Sequence, residues 1–133
     1  FVLWIYGRIL LRYGNLESGI KILEQLYERE PIPMSDINTD RMNRELFLAY
    51  YLDKNYKKCE ETFNKINECT FREWLINIDI KIKQNKDYAQ DNWFVSGIER
   101  FNNLDKEKEI SLFHLNNKFI SNELKNLSQK VFA

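Results

Sequence analysis

Apolar residues recur along this chain every three or four positions, which is the spacing of helices with one buried face, whereas the alternating runs typical of strands are missing. Only two prolines and four glycines interrupt the 133 residues, so little in the sequence breaks these helices. We therefore predict an all-α fold. The predicted helices span about residues 1–13, 16–29, 40–53, 55–67, 70–84, 92–103 and 106–131.

Two local signals place boundaries within this pattern. Pro31 and Pro33 cannot continue a helix, so the second helix ends before them and residues 31–40 are expected to form a loop. Thr70 and Glu73 have the spacing of a capping box, in which a hydroxyl and a carboxylate satisfy free amide donors at a helix start. The fifth helix is therefore predicted to begin at this point.

The second helix of each consecutive pair carries the same order of large and small residues. The aligned segments LESGIKILEQL, YKKCEETFNKI and FVSGIERFNNL give four columns, which hold Leu16, Tyr56 and Phe94; Gly19, Cys59 and Gly97; Leu23, Phe63 and Phe101; and Leu26, Ile66 and Leu104. A small residue on a buried face lets a neighbouring helix approach closely, which can outweigh the roughly 1 kcal/mol propensity cost of glycine. The small column is thus predicted to be a helix-contact position that does not tolerate Leu. Three unrelated amphipathic helices are the alternative.

With these columns the chain resembles the tetratricopeptide repeat family, whose helical hairpins carry a Trp, Leu-Gly, Tyr series on the first helix and Ala, Phe, Ala, Pro on the second. The matching residues are Leu3, Tyr6, Gly7, Leu10, Gly19, Leu23, Leu26 and Pro31 in the first repeat, and Asn43, Leu46, Phe47, Tyr50, Cys59, Phe63 and Ile66 in the second. The third repeat matches only in its second helix. The repeat spacings of 40 and 38 residues exceed the family's length of about 34, so the resemblance is to a degenerate member. Armadillo or HEAT repeats stay open as alternatives.

The resemblance implies a single repeat domain over residues 1–133. It would be a right-handed array of about three hairpins, at about 1–29, 40–67 and 70–103, closed by a long C-terminal capping helix at about 106–131. The absence of an initiator Met leads us to expect a fragment of a longer chain.

The resemblance also implies a concave groove lined by the first helix of each hairpin. The positions that would line it are Trp4, Arg8, Leu11, Arg12, Arg41, Arg44, Leu48 and Tyr51. Guanidinium groups bind carboxylates bidentately, and aromatic rings add apolar contact, so the expected partner is a protein or peptide of acidic, partly apolar character. The alternative is that these arginines are solvated and pair with nearby glutamates such as Glu45.

The last predicted helix has an apolar row with heptad spacing. The row consists of Ile110, Phe113, Asn117, Ile120, Leu124, Leu127 and Val131. One polar residue in such a row fixes the register of many coiled coils, so self-association into a homodimer is conceivable. The alternative, which we favour, is that this helix covers the exposed side of the last hairpin, as solenoids require for solubility.

Charge and cysteine content narrow the function classes. Lys plus Arg and Asp plus Glu balance at 20 each, so no global field attracts nucleic acid or an anionic membrane. No run approaches the roughly 18 apolar residues of a membrane span. Cys59 and Cys69 are too few for a disulfide framework and, with one histidine in the chain, have no zinc spacing. We expect reduced thiols, a cytoplasmic protein, no metal ion and no cofactor.

No arrangement of reactive side chains predicts catalysis. His114 has no Ser or Cys directed toward it by the sequence, and Cys59 belongs to the small column, where burial explains it better than reactivity. The acidic residues at 60–61 and 105–109 suit helix surfaces and helix starts. We therefore predict an interaction scaffold rather than an enzyme. The alternative is the sensor or dimerisation domain of a larger peptide-responsive transcriptional regulator, with a DNA-binding module outside this segment.

Overall fold

In a computed structural model of the protein, the described residues are 2–12, 15–28, 36–113 and 118–133, with the backbone alone described at 2–4, 12, 36–38 and 118. They form eight helices and no strand, which confirms the all-α fold class. The helices are α1 (Val2–Arg12), α2 (Leu16–Glu28), α3 (Asp36–Leu52), α4 (Tyr56–Phe63), α5 (Phe71–Lys83), α6 (Asn92–Phe101), α7 (Lys106–Ser111) and α8 (Lys118–Val131). Within the described ranges, no helix combines the length and the apolar character needed to cross a membrane.

The contacts between residues divide the chain into two compact units, Phe1–Glu68 and Cys69–Ala133. In the first unit, α1 packs against α2, α3 against α4, and α2 against α3. In the second unit, α5 contacts α6, α7 and α8, and α7 contacts α8. The arrangement of all the helices as one capped repeat domain stays a prediction.

Small residues mark the closest helix contacts of the first unit. A Cβ atom on Gly19 would lie 2.8 Å from Leu11 Cδ2 and 3.1 Å from the carbonyl oxygen of Gly7, so α1 and α2 meet almost backbone to backbone. In the next hairpin the buried Cys59 thiol donates to the carbonyl of Phe47 at 3.6 Å. Each small residue thus lies against the residue twelve positions before it, and the second contact repeats the first after 40 residues.

The core of the second unit surrounds the first turns of α5. The rings of Phe71 and Trp74 both pack against Phe101 and Phe132, at centroid distances of 5.4 to 6.3 Å. A Cβ atom on Gly97 would overlap the Trp74 indole. All three small-column residues are therefore contact positions of their helices, as predicted.

The capping box at the start of α5 is confirmed. The Glu73 carboxylate accepts from the Thr70 amide at 3.0 Å and from the Thr70 hydroxyl at 2.9 Å. Arg72 Nε lies 2.7 Å from the same carboxylate, which is fully buried. These partners satisfy a charge that would otherwise be costly to bury.

Three predicted helix boundaries are wrong. Helix α3 begins at Asp36, inside the expected loop 31–40, where acidic residues suit a first helical turn. Helix α4 ends at Phe63 rather than near residue 67. Ile66, which is aligned in the fourth column as a helical residue, therefore lies after the end of the helix. The helix expected over 106–131 is not continuous, because α7 ends at Ser111 and the Phe113 ring turns against Phe71 at 6.2 Å.

Candidate functional site

Two arginines of the predicted groove, Arg8 and Arg44, are engaged inside the first unit. Arg8 Nε on α1 lies 3.3 Å from Glu45 Oε1 on α3, which is the pairing considered as an alternative to partner binding. Arg44 Nη1 lies 3.0 Å from Asp40 Oδ2. These two guanidinium groups therefore already have carboxylate partners within the chain.

The apolar members of the predicted groove lie in helix contacts. Leu48 and Tyr51 are 9% and 4% exposed, and Leu11 packs against Gly19. Arg41 is exposed. The side chains of Trp4 and Arg12 lie outside the described residues. The groove as a binding surface stays a prediction, and among its residues whose side chains are described, Arg41 is exposed to solvent.

A polar network that the sequence did not indicate fixes the turn after α4. Asp40 accepts from the amides of Asn67 and Glu68 at 2.7 and 3.0 Å, and it is only 7% exposed. Arg44 bridges Asp40 Oδ2 to the carbonyl of Glu68 at 3.2 Å. Arg44 is therefore a structural residue that ties α3 to this turn. Asp40 satisfies the amides of residues 67 and 68, which would bond to carbonyls of α4 if that helix continued.

A concavity of the first unit lies between α2, α3 and α4. We call it the Glu24 pocket; it has a volume of about 220 Å³. Its lining residues are Glu24, Tyr27, Glu28, Asn43, Leu46, Tyr50, Lys58, Glu61, Thr62 and Lys65. Three carboxylates, two ammonium groups and two tyrosine rings thus converge on a space bounded by three helices.

Glu24 joins the three helices through one carboxylate oxygen. Glu24 Oε2 on α2 accepts from the Tyr50 hydroxyl on α3 at 2.6 Å and from Lys58 Nζ on α4 at 2.9 Å. Lys58 Nζ also lies 5.4 Å from the centroid of the Tyr50 ring, within the range of a cation–π contact. The geometry stabilises an ammonium group against both a carboxylate and an aromatic face.

The pKa shifts in the pocket follow from these contacts. Burial opposes ionisation of Glu24, but the hydrogen bonds from Tyr50 and Lys58 and the Lys58 charge hold the pKa of Glu24 below its ordinary value. Burial and the hydrogen bond to Glu24 raise the pKa of Tyr50. The bond to Glu24 and its charge raise the pKa of Lys58. Glu24 is therefore ionised and both of its donors are protonated near neutral pH.

Little in the sequence predicts this pocket. Glu24 and Tyr50 are 26 residues apart and Glu24 and Lys58 are 34 apart, so no local motif joins them. Tyr50 matches the repeat pattern, which does not indicate a pocket. The one usable signal was that Glu24 and Glu28 are one helical turn apart on α2, and this spacing also fits an ordinary solvated helix face.

The heptad row of the last segment is divided between two helices. Ile110, Phe113 and Leu124 are buried, and Ile120, Leu127 and Val131 are half-buried. Asn117 lies outside the described residues, as does His114. Because α7 and α8 are separate helices, the row does not follow one helix as a coiled coil requires. Homodimer formation through it stays a prediction.

In the described part of the chain, no group of three or more His, Cys, Asp or Glu side chains could hold a metal ion. No family model matches this chain, and comparisons with curated proteins and with solved structures find no significant similarity.

Proposed function

We propose that this chain is a helical-hairpin scaffold that binds a peptide or helix of a partner protein. The observation that carries the proposal is the recurrence of one inter-helix contact, between Gly19 and the Gly7 carbonyl and again between Cys59 and the Phe47 carbonyl. Consecutive hairpins built on one contact support a tetratricopeptide-like stack, and such stacks present extended surfaces for other proteins. In the Glu24 pocket the Tyr50 hydroxyl and the Lys58 ammonium are both held in their protonated forms, because the pKa of each is raised, which favours recognition over nucleophilic chemistry.

The partner in this proposal is a protein segment that need not be acidic. Arg8 and Arg44 are held by Glu45 and Asp40, so two of the cations that favoured an acidic peptide are already neutralised. A cytoplasmic location belongs to the same proposal, and its support is that two cysteines are too few for the disulfide framework of a small secreted domain.

The proposal is tested by selecting peptides from a displayed random library on the purified chain. We expect a recurring motif whose synthetic peptide binds with one-to-one stoichiometry and saturates in calorimetry. The Gly19→Leu variant, in which α1 and α2 cannot pack, is the matched negative selection. Motifs that enrich equally on this variant, or no enrichment at all, would show that the folded hairpins are not a peptide-binding scaffold.

Arg41 separates the two surfaces on which such a peptide could lie. It is an exposed arginine of the predicted groove and is absent from the lining of the Glu24 pocket. If the groove is the binding surface, Arg41→Glu changes the affinity for the selected peptide by about tenfold, because the charge at a contact position is reversed. An unchanged affinity would place the peptide elsewhere on the scaffold.

A further inference from the structure

We propose that the Glu24 pocket binds a single basic side chain, Lys or Arg, of the partner segment. This inference rests on the proposed scaffold function and names the chemistry of the partner residue. It also assigns Lys58 a second role, as the chain's own ammonium group lying in the space that the partner side chain would enter.

The carboxylates of the pocket exceed the cations that pair with them. Glu24 is bonded to Lys58, but neither Glu28 nor Glu61 has a hydrogen bond or an ion pair among the described residues. Both lie close enough to Lys58 to raise its pKa in addition to Glu24. The lining thus carries three carboxylates against two ammonium groups, those of Lys58 and Lys65, and a further cation brought by a partner would meet the carboxylates of Glu28 and Glu61.

The aromatic rings of the pocket already hold ammonium groups. Lys58 Nζ lies 5.4 Å from the Tyr50 ring centroid, and Lys65 Nζ lies 5.4 Å from that of Tyr27. Aromatic faces combined with carboxylates are the chemistry by which proteins recognise ammonium and guanidinium groups. An acidic partner side chain would be repelled by Glu28 and Glu61, and an apolar one would leave these charges desolvated.

The size of the pocket limits the ligand to one side chain. Its volume of about 220 Å³ lies below the range of about 300–1,000 Å³ that is typical of small-molecule sites. The larger hollow of about 550 Å³ elsewhere in the chain is lined by six consecutive residues at 86–91, so it is the inside of one loop rather than a meeting of helices. The Glu24 pocket therefore fits the terminal group and part of the stem of a Lys or Arg side chain.

Lys58 is able to leave the pocket. Its side chain is 46% exposed, and exposed ion pairs contribute little to stability. A partner cation would take its place on Glu24, while the Lys58 ammonium would move into solvent. Removing the Lys58 charge should therefore strengthen binding of a basic ligand, whereas a purely structural role of the Lys58–Glu24 pair predicts no ligand binding at all.

The test uses the whole chain and small probes, so it does not depend on knowing the partner. Backbone amide shifts are followed by NMR while N-acetyl-arginine-N-methylamide or N-acetyl-lysine-N-methylamide is added. The matching norleucine and glutamate derivatives are the controls. We expect saturable shifts near residues 24, 58 and 61 with the basic probes, with a Kd of millimolar order, and no saturable shift with the controls.

Charge variants then identify the site. We expect Lys58→Met to tighten binding of the arginine probe about fivefold, because a like charge is removed from a partly screened site. We expect Glu28→Gln and Glu61→Gln each to weaken it about threefold or more for the opposite reason. Lys57→Met, on the neighbouring exposed lysine outside the pocket lining, is the matched control and should leave the affinity unchanged.

The outcomes separate this inference from the function on which it rests. Absence of saturation, equal shifts with the glutamate probe, or equal effects of Lys57→Met and Lys58→Met would overturn the pocket assignment. If peptide selection still yields a binding motif in that case, only the inference fails. If the probes bind at the pocket but no peptide is selected, the scaffold function fails instead.

Discussion

Among the described residues, two that are not glycine hold a left-handed backbone conformation. Lys54 and Asn85 have φ angles of 58° and 54°, each two residues after the last residue of a helix, α3 or α5. The Asn55 amide donates to the Tyr50 carbonyl and the Lys54 amide to that of Tyr51, which is the bond pair of a Schellman helix end. Such ends favour glycine or asparagine, so Asn85 carries the usual sequence signal for the end of α5, whereas Lys54 gives no such signal for the end of α3.

Lys54→Gly should therefore stabilise the protein. Glycine adopts positive φ without the Cβ clash, and the gain is partly offset by its greater freedom in the unfolded chain, so the free energy of unfolding should rise by about 0.5–1 kcal/mol. Urea unfolding followed by far-UV circular dichroism measures the change. Asp53→Gly, at a neighbouring position without positive φ, should destabilise instead. Destabilisation by both variants would show that the strain at Lys54 is negligible.

Gly97 is the small residue with the least space beside it. Because a Cβ atom there would overlap the Trp74 indole, Gly97→Ala should lower the free energy of unfolding by about 1–3 kcal/mol, despite the better helix propensity of alanine. The matched control is Ser96→Ala on the exposed face of α6, for which we expect a change within about 0.5 kcal/mol. Tryptophan fluorescence during urea unfolding reports both. A stabilised Gly97→Ala variant would mean that Trp74 moves aside at no cost.

At the scale of helices, Glu24 couples α2 to both α3 and α4, because one of its carboxylate oxygens accepts from Tyr50 on α3 and from Lys58 on α4. The folded-state pKa of Glu24 lies below its ordinary value of 4.5. The carboxylate therefore stabilises the fold fully above about pH 4.5, and this contribution is lost as the pH falls through the lowered pKa. Acid weakens the junction between hairpins before it affects apolar packing.

Comparison of wild type with Glu24→Gln checks this linkage. We expect the variant to be less stable by at most about 1 kcal/mol at pH 7, because Glu24 is only partly buried and its ion pair is screened by solvent. The difference should shrink toward zero near pH 3. Glu17→Gln, which removes a carboxylate from an exposed pair with Lys21 on the same helix, should show little difference at either pH. A Glu24→Gln effect that is independent of pH would contradict the assigned charge coupling.

Helical periodicity was enough to find the helices, and the reasons for its failures are local to particular contacts. The small column at Gly19, Cys59 and Gly97 was predictable because close packing leaves a mark in residue size. The end of α4 was not predictable, because it depends on Asp40 binding amides more than 25 residues away. The Glu24 pocket was also not predictable from the sequence. Its lining side chains come from separate helices, and within its own helix each charged residue has the spacing of an ordinary solvent-exposed position.

At the scale of the whole molecule, each of the two compact units contains one cysteine. Cys59 belongs to the first unit, where it is fully buried and serves as a helix contact. Cys69 is the first residue of the second unit and is half-buried. The two thiols therefore report on different parts of the fold, and their reactivities can be compared within one sample.

We expect the two thiols to react with an aromatic disulfide reagent at very different rates at pH 8. Burial, together with the nearby Glu60 charge, raises the pKa of Cys59 from 9.0 to about 12. Since the thiolate is the nucleophile, this shift alone lowers its reactive population about a thousandfold, before exclusion of the reagent from the core is considered. Absorbance should show one rapid equivalent from Cys69 and a second that appears only as urea opens the first unit.

The Cys69→Ser variant isolates that slow phase, and Gly19→Leu, which loosens the same unit, should accelerate it. Rapid modification of Cys59 in the native Cys69→Ser protein would mean that α3 and α4 separate readily, and the contact between Cys59 and the Phe47 carbonyl could then not be the fixed element on which the scaffold proposal depends.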